Sequence, residues 1–86
     1  MKTILAVLIS KRKDAAVNVQ KILTGWGCII KTRLGIHDGV LENCSDEGTL
    51  ILELVGKEED KSELTRKLSL LKGVTAKRID LQVTED

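Results

Sequence analysis

Hydrophobic positions along the chain change spacing from block to block, and each change predicts an element. Residues 4–9 (ILAVLI) form an unbroken apolar run between polar neighbours, the pattern of a short central strand buried on both faces. After a polar stretch at residues 10–13, Ala15, Val19, Ile22, Leu23 and Trp26 recur at helical spacing and predict one buried stripe. Asp14 stands where a carboxylate can cap the first free amides of that helix. Gly25 and Gly27 stand where a left-handed turn can end it.

Residues 28–36 switch to alternation. Cys28, Ile30, Thr32, Leu34 and Ile36 oppose Ile29, Lys31, Arg33 and Gly35, which predicts a half-buried strand suited to a sheet edge. The connector at residues 37–48 exceeds ordinary hairpin length. Residues 49–55 predict a third strand with Leu50, Leu52 and Leu54 on one face, while Ile51 and Val55 keep its other face from being cleanly polar. Leu64, Leu68 and Leu71 give a second helical stripe, with Glu63 and Lys67 as a favourable pair four residues apart. Asp60 and Glu63 read as the ends of a capping box, and Gly73 as the stop. In residues 74–83 the parity conflicts: Val74 and Ala76 favour one face, and Ile79, Leu81 and Val83 the other. A bulge, or a strand apolar on both sides, reconciles them. Residues 84–86 are a polar tail.

The order β-α-β-β-α-β in one domain, residues 1–86, predicts an α+β split βαβ arrangement: a four-stranded antiparallel sheet with both helices on one face and the first and third strands central. Two helices cover only one sheet face. The first strand is apolar on both sides, and Ile29, Ile51 and Val55 add to the surplus, so the uncovered face is expected to be an assembly surface in a homo-oligomer, a dimer or higher.

Composition narrows the function classes. With no Phe, Tyr or Pro, the core must be built from Leu, Ile, Val and Ala. A net charge of +1 leaves no electrostatic footprint for nucleic acid. The opening apolar run is too short to span a bilayer and is followed by Lys11-Arg12-Lys13-Asp14 rather than a cleavage site, so a soluble cytoplasmic protein with reduced thiols is expected.

Candidate chemistry is sparse. His37 with Cys44, helped by Asp38, Glu42 or Asp46, could hold a transition metal through imidazole and thiolate; the alternative is a solvated histidine and an incidental thiol. Lys11, Arg12 and Lys13, with Asp14 opening the helix behind them and Arg33 contributing from its strand, could hold a small phosphorylated or carboxylate ligand at a helix N-terminus. The alternative there is a solvated basic loop. Cys28 reads as a small core or interface residue, and residues 46–48 as a turn. With a single histidine, no paired nucleophile and base, and no phosphate-binding glycine motif, no catalytic residue is assigned.

The element order, together with Arg33-Leu34-Gly35-Ile36, Glu53-Leu54-Val55-Gly56 and Leu70-Leu71-Lys72-Gly73-Val74, resembles the iron-only hydrogenase system regulator family. These are small stand-alone proteins similar to ACT domains and to the C-terminal domain of the nickel-responsive regulator. The resemblance spans nearly the whole chain. It implies a ferredoxin-like βαββαβ sandwich, paired through its sheets, that controls hydrogenase genes or assembly. Two departures bear on ligands. His37 alone, with Cys44 further along, does not reproduce the histidine-rich nickel site, and residues 10–14 lack the glycine of the ACT amino-acid loop. There is also no helix-turn-helix or ribbon, so direct contact with nucleic acid is not expected. The expectation is a non-catalytic regulatory module acting as an oligomer through ligand or partner binding. Its alternatives are a metal-responsive sensor using His37 and Cys44, and a pure protein-interaction module.

Overall fold

Strict alternation in the first strand decides how the sheet faces. In the computed structural model, which describes residues 1–10, 14–37 and 48–85, strand β1 (Lys2–Ile9) buries Thr3, Leu5, Val7 and Ile9 and turns Lys2, Ile4, Ala6 and Leu8 to the other side. Helix α1 (Ala15–Gly25), strands β2 (Ile30–His37) and β3 (Gly48–Leu54), helix α2 (Glu58–Ser69) and strand β4 (Val74–Leu81) follow. Side-chain positions are described for these residues apart from His37, whose backbone closes β2.

The strands form one antiparallel sheet in the order β2-β3-β1-β4, with β1 and β3 inside as expected. Leu5, Val7 and Ile9 of β1 pack with Leu50, Leu52 and Leu54 of β3, Ala15, Val19 and Leu23 of α1, and Leu64 and Leu68 of α2. One core therefore lies between the sheet and both helices. This is the ferredoxin-like βαββαβ sandwich.

Local features differ from the sequence expectation in instructive ways. Neither Gly25 nor Gly27 adopts a left-handed conformation; among the described residues, the glycines with positive φ are Gly56 (97°) and Gly73 (77°). Helix α1 ends instead through the Trp26 amide, which bonds Leu23 O at 3.1 Å, and a single 3-10 turn at Gly27–Ile29 follows. That turn takes Cys28 out of the strand and leaves it exposed. It also folds Ile29 toward the core rather than the open face, with its carbonyl accepting from the Val55 amide at 2.8 Å.

Asp14 holds the N-cap position of α1 but makes no side-chain cap bond there. In α2 the cap is Lys57, not Asp60: Gly56 turns the chain one residue earlier, and Glu58, Glu59 and Asp60 become the first turn, where carboxylates oppose the positive helix end. Glu63 consequently reaches forward to Arg66, at 2.7 Å, rather than back to a cap, and Lys67 lies 4.0 Å from it. In β4 there is no bulge. Continuous pairing with β1 puts Val74, Ala76, Arg78 and Asp80 on the helix side and Thr75, Lys77, Ile79 and Leu81 on the other. The strand ends at Leu81, before Val83.

Candidate functional site

Among the described residues both helices pack on one side of the sheet, and the register specifies what stands on the other. Across the strands, Leu34, Ile51, Ala6 and Lys77 form one row; Thr32, Glu53, Ile4 and Ile79 the next; and Ile36, Thr49, Leu8 and Thr75 a third. Lys2 and Leu81 extend the surface at one end. Leu8, Leu34, Ile36, Ile79 and Leu81 are each about half exposed, between 47% and 55%. The period-2 apolar face read in the second strand is thus real but points to solvent: Thr32, Leu34 and Ile36 share this side, while a register shift between Ile30 and Thr32 leaves Ile30 packed against the core.

Charge on this surface is confined to few groups. Among the described strand residues, Glu53 is its one carboxylate, set on an inner strand, and Lys2 approaches it at 3.6 Å. The Glu53 side chain is only 16% exposed, whereas Lys2 is 62% exposed. A shallow depression of about 490 Å³, lined by Met1, Lys2, Leu81, Gln82 and Val83, continues the face at the Lys2 end. A second, of about 270 Å³, lies at the opposite end among Leu8, Ser10, Gly73, Val74 and Thr75.

Beneath α2 is a polar network that the sequence reading missed. Thr3 Oγ1 donates to Asp80 Oδ1 at 2.8 Å and accepts from Lys61 Nζ at 3.1 Å. Arg78 donates to the same Asp80 oxygen and, through two nitrogens, to both oxygens of Glu58 at 2.6 and 2.8 Å, with Ser62 Oγ 3.3 Å away. The Thr3 hydrogen bond does most to hold the Asp80 carboxyl below the ordinary range; desolvation opposes it, and Arg78 and then Lys61 reinforce it. Arg78 likewise lowers Glu58 by hydrogen bonding, and its own ionisation is pushed further up. These opposite charges balance, so the network ties α2 to β1 and β4. Its signal was in the pattern: Lys61 stands at helical spacing with Leu64 and Leu68, and Arg78 and Asp80 continue the parity of Val74 and Ala76.

Of the residues singled out from sequence, Asp14, Arg33 and the backbone of His37 lie within the described residues. His37 pairs with Gly48, which pairs with Ile9, which pairs with Val74, so His37 closes the row at the end of the sheet where the chain leaves β1 toward Lys11. Lys11, Arg12, Lys13 and Cys44 themselves lie outside the described residues. Arg33 is on the helix side of β2, opposite Leu52, and its guanidinium donates to Gln20 Oε1 on α1, about 9 Å along the helix from Asp14. Among the described residues no group of three or more His, Cys, Asp or Glu side chains is placed to hold a metal ion. No helix among them is long and apolar enough to cross a membrane.

No protein-family model matches the chain. No curated protein matches it either. Solved structures do. The chain is similar to an uncharacterized protein from Thermotoga maritima, with 25% identity, a TM-score of 0.80, and coverage of 94% of this chain and 96% of that one. It is also similar to a functionally unknown protein from Pediococcus pentosaceus (14% identity, TM-score 0.54, 99% and 95% covered). A dimeric ferredoxin-like protein of unknown function from Thermobifida fusca matches at 14% identity and a TM-score of 0.47, over 94% and 92%. The match to the Thermotoga protein runs over nearly the full length of both chains. None of the three bears the name of the regulator family that the sequence resembles.

Proposed function

We propose that the chain is a non-catalytic regulatory module of the iron-only hydrogenase system that works as a homo-oligomer joined through the open sheet face. The observation that carries the reading is that face: Leu8, Leu34, Ile36, Ile79 and Leu81 are half exposed around the half-buried Ile4, Ala6 and Ile51. Four strands, seven or eight residues long at about 3.3 Å each and about 4.8 Å apart, span roughly 19 by 26 Å, or about 500 Å² in plane. Two copies therefore bring together about 1,000 Å² before side-chain relief is counted, the lower bound of a specific interface. An exposed cluster of aliphatic side chains on a sheet face of a small domain supports an interaction surface.

The regulatory assignment is supported by the sequence resemblance and by the lack of any nucleophile paired with a base in the sequence. Small-ligand binding belongs with the basic residues Lys11, Arg12 and Lys13, which lead into α1. Sedimentation equilibrium from one to a hundred micromolar tests the assembly: a concentration-dependent dimer or tetramer is expected, and Leu34→Glu should return it to monomer with an unchanged far-UV spectrum. A monomer throughout rejects the reading. For the regulatory part, deleting the coding sequence in its host should change hydrogenase transcript or maturation levels. Unchanged levels would confine the chain to some other process.

A further inference from the structure

The aliphatic surface offers many nearly equivalent ways for two sheets to stack, because Leu, Ile and Ala side chains attract without direction. A charged group in the middle of such a surface removes most of them, since a carboxylate covered without a partner is strongly unfavourable. Glu53 is placed to do this. It stands on inner strand β3, between Thr32 of β2 and Ile4 of β1, with Ile51 before it on the same face. Its side chain is already packed down among these neighbours, so it does not swing clear of an approaching partner as a rim carboxylate would. Lys2, at 3.6 Å, comes from the end of the face and keeps most of its side chain in water. Lys77 on β4, in register with Ala6, is a further cation on this side.

We infer that Glu53 is the specificity-determining residue of the open face: it admits a second copy of this chain only in the arrangement that keeps its carboxylate paired, either with Lys2 or with Lys77 of the second copy. The inference rests on the proposed self-association. A second copy is the occupant because the face carries its own acid and its own bases among the aliphatics, which makes it self-complementary, and because its area reaches the lower bound of a specific interface. Glu53 is thereby retained at some cost in affinity. A uniformly apolar face would bind more tightly but in several registers, and its partners would extend to other exposed sheets.

Sedimentation velocity over a concentration series, with wild type, Glu53→Leu, Glu53→Gln and the double variant Lys2→Met/Lys77→Met compared, tests this. Wild type should give one discrete oligomer. Glu53→Leu should associate at least tenfold more tightly and lose its single stoichiometry, running as a broad distribution of larger species. Glu53→Gln, which keeps the shape but removes the charge, should fall between wild type and Glu53→Leu in both affinity and stoichiometry. Lys2→Met combined with Lys77→Met should weaken association at least tenfold by stranding the carboxylate. If Glu53→Leu yields the same discrete oligomer at the same affinity, Glu53 determines nothing and the inference falls while the oligomer reading stands. If wild type is monomeric and indistinguishable from Leu34→Glu, both fall together. Far-UV spectra and urea midpoints of each variant establish that the differences arise in association and not in folding.

Discussion

Lys61 on α2 brings its ammonium to 3.1 Å from the hydroxyl of Thr3 on β1, and both residues are buried, Lys61 at 8% exposure and Thr3 at 0%. Thr3 is the hinge of the arrangement, because the same oxygen that receives Lys61 donates its proton to Asp80. One hydroxyl thus links a helix cation to a strand carboxylate across the end of an otherwise aliphatic core. Lys61 belongs to the buried stripe of α2 as fully as Leu64 and Leu68 do; its stem packs as an apolar chain and only its tip needs a partner.

Thr3→Val keeps the shape and removes the link, so it should cost about 1–3 kcal/mol by leaving the Lys61 ammonium without its acceptor. Lys61→Met removes the group that needs the acceptor and should cost less, about 1 kcal/mol. The double variant should lose clearly less than the sum. Urea unfolding of the four proteins measures the coupling, and strictly additive losses would show that the two side chains act independently.

Asp80, Glu58 and Glu63 all ionise below their ordinary range, through Thr3, Arg78 and Arg66 respectively as the largest causes. A depressed carboxyl stabilises the folded chain fully above its unfolded value, about 3.9 for Asp and 4.3 for Glu, and that stability is lost as pH falls through the folded value. Stability should accordingly hold from neutrality down to about pH 5 and decline below about pH 4. Asp80→Asn should be less stable at pH 7 and show a shallower decline in acid. Urea midpoints at half-unit pH steps read both effects, and parallel wild-type and Asp80→Asn curves would contradict the assignment.

Gly56 and Gly35 separate backbone strain from crowding. A Cβ at either position would lie 3.4 Å from a neighbouring side-chain carbon, on Ile29 and Leu50 respectively, but Gly56 alone of the two has positive φ, at 97°. Gly56→Ala should therefore lose about 1–3 kcal/mol. Gly35→Ala should be neutral or stabilising by up to about 1 kcal/mol, because it restricts the unfolded chain without straining the folded one. Thermal melts of the two variants give the comparison directly.

The two faces of the sheet should answer differently to truncation. Leu52 is fully buried on the helix side, and Leu52→Ala should lose about 2–5 kcal/mol at any protein concentration. Leu34→Ala, on the open side, should be within about 0.5 kcal/mol of wild type in dilute solution and fall behind it as concentration rises. Melting at two concentrations a hundredfold apart tests this, and a concentration-independent loss for Leu34→Ala would place that residue in the monomer core instead.

Much of the fold was legible because burial imposes periods. Leu50, Leu52 and Leu54 alternate because a strand shows every second residue to one side, and Ala15, Val19 and Leu23 recur because a helix returns to one face every turn. Phase was harder to read. Cys28 and Ile29 continue the alternation of the strand that follows, but a 3-10 turn takes them out of it, and the register shift after Ile30 reverses which residues the strand turns inward. Candidate chemistry was legible only as residue types. That His37 ends β2 level with Ile9 follows from strand pairing, which no local pattern contains.

By itself the sequence determined the element order, the antiparallel sheet with β1 and β3 inside, and an apolar surplus that two helices could not cover. Those features follow from counting apolar positions against the faces available. Tertiary structure decided which side each residue of β2 and β4 meets, put Lys61, Thr3, Arg78 and Asp80 into one network, and set Glu53 in the middle of the open face. The physical reason is that register and hydrogen-bond partnership join residues far apart in the chain. A buried charge is stable only where a distant residue supplies its partner, and local periodicity carries no record of that residue.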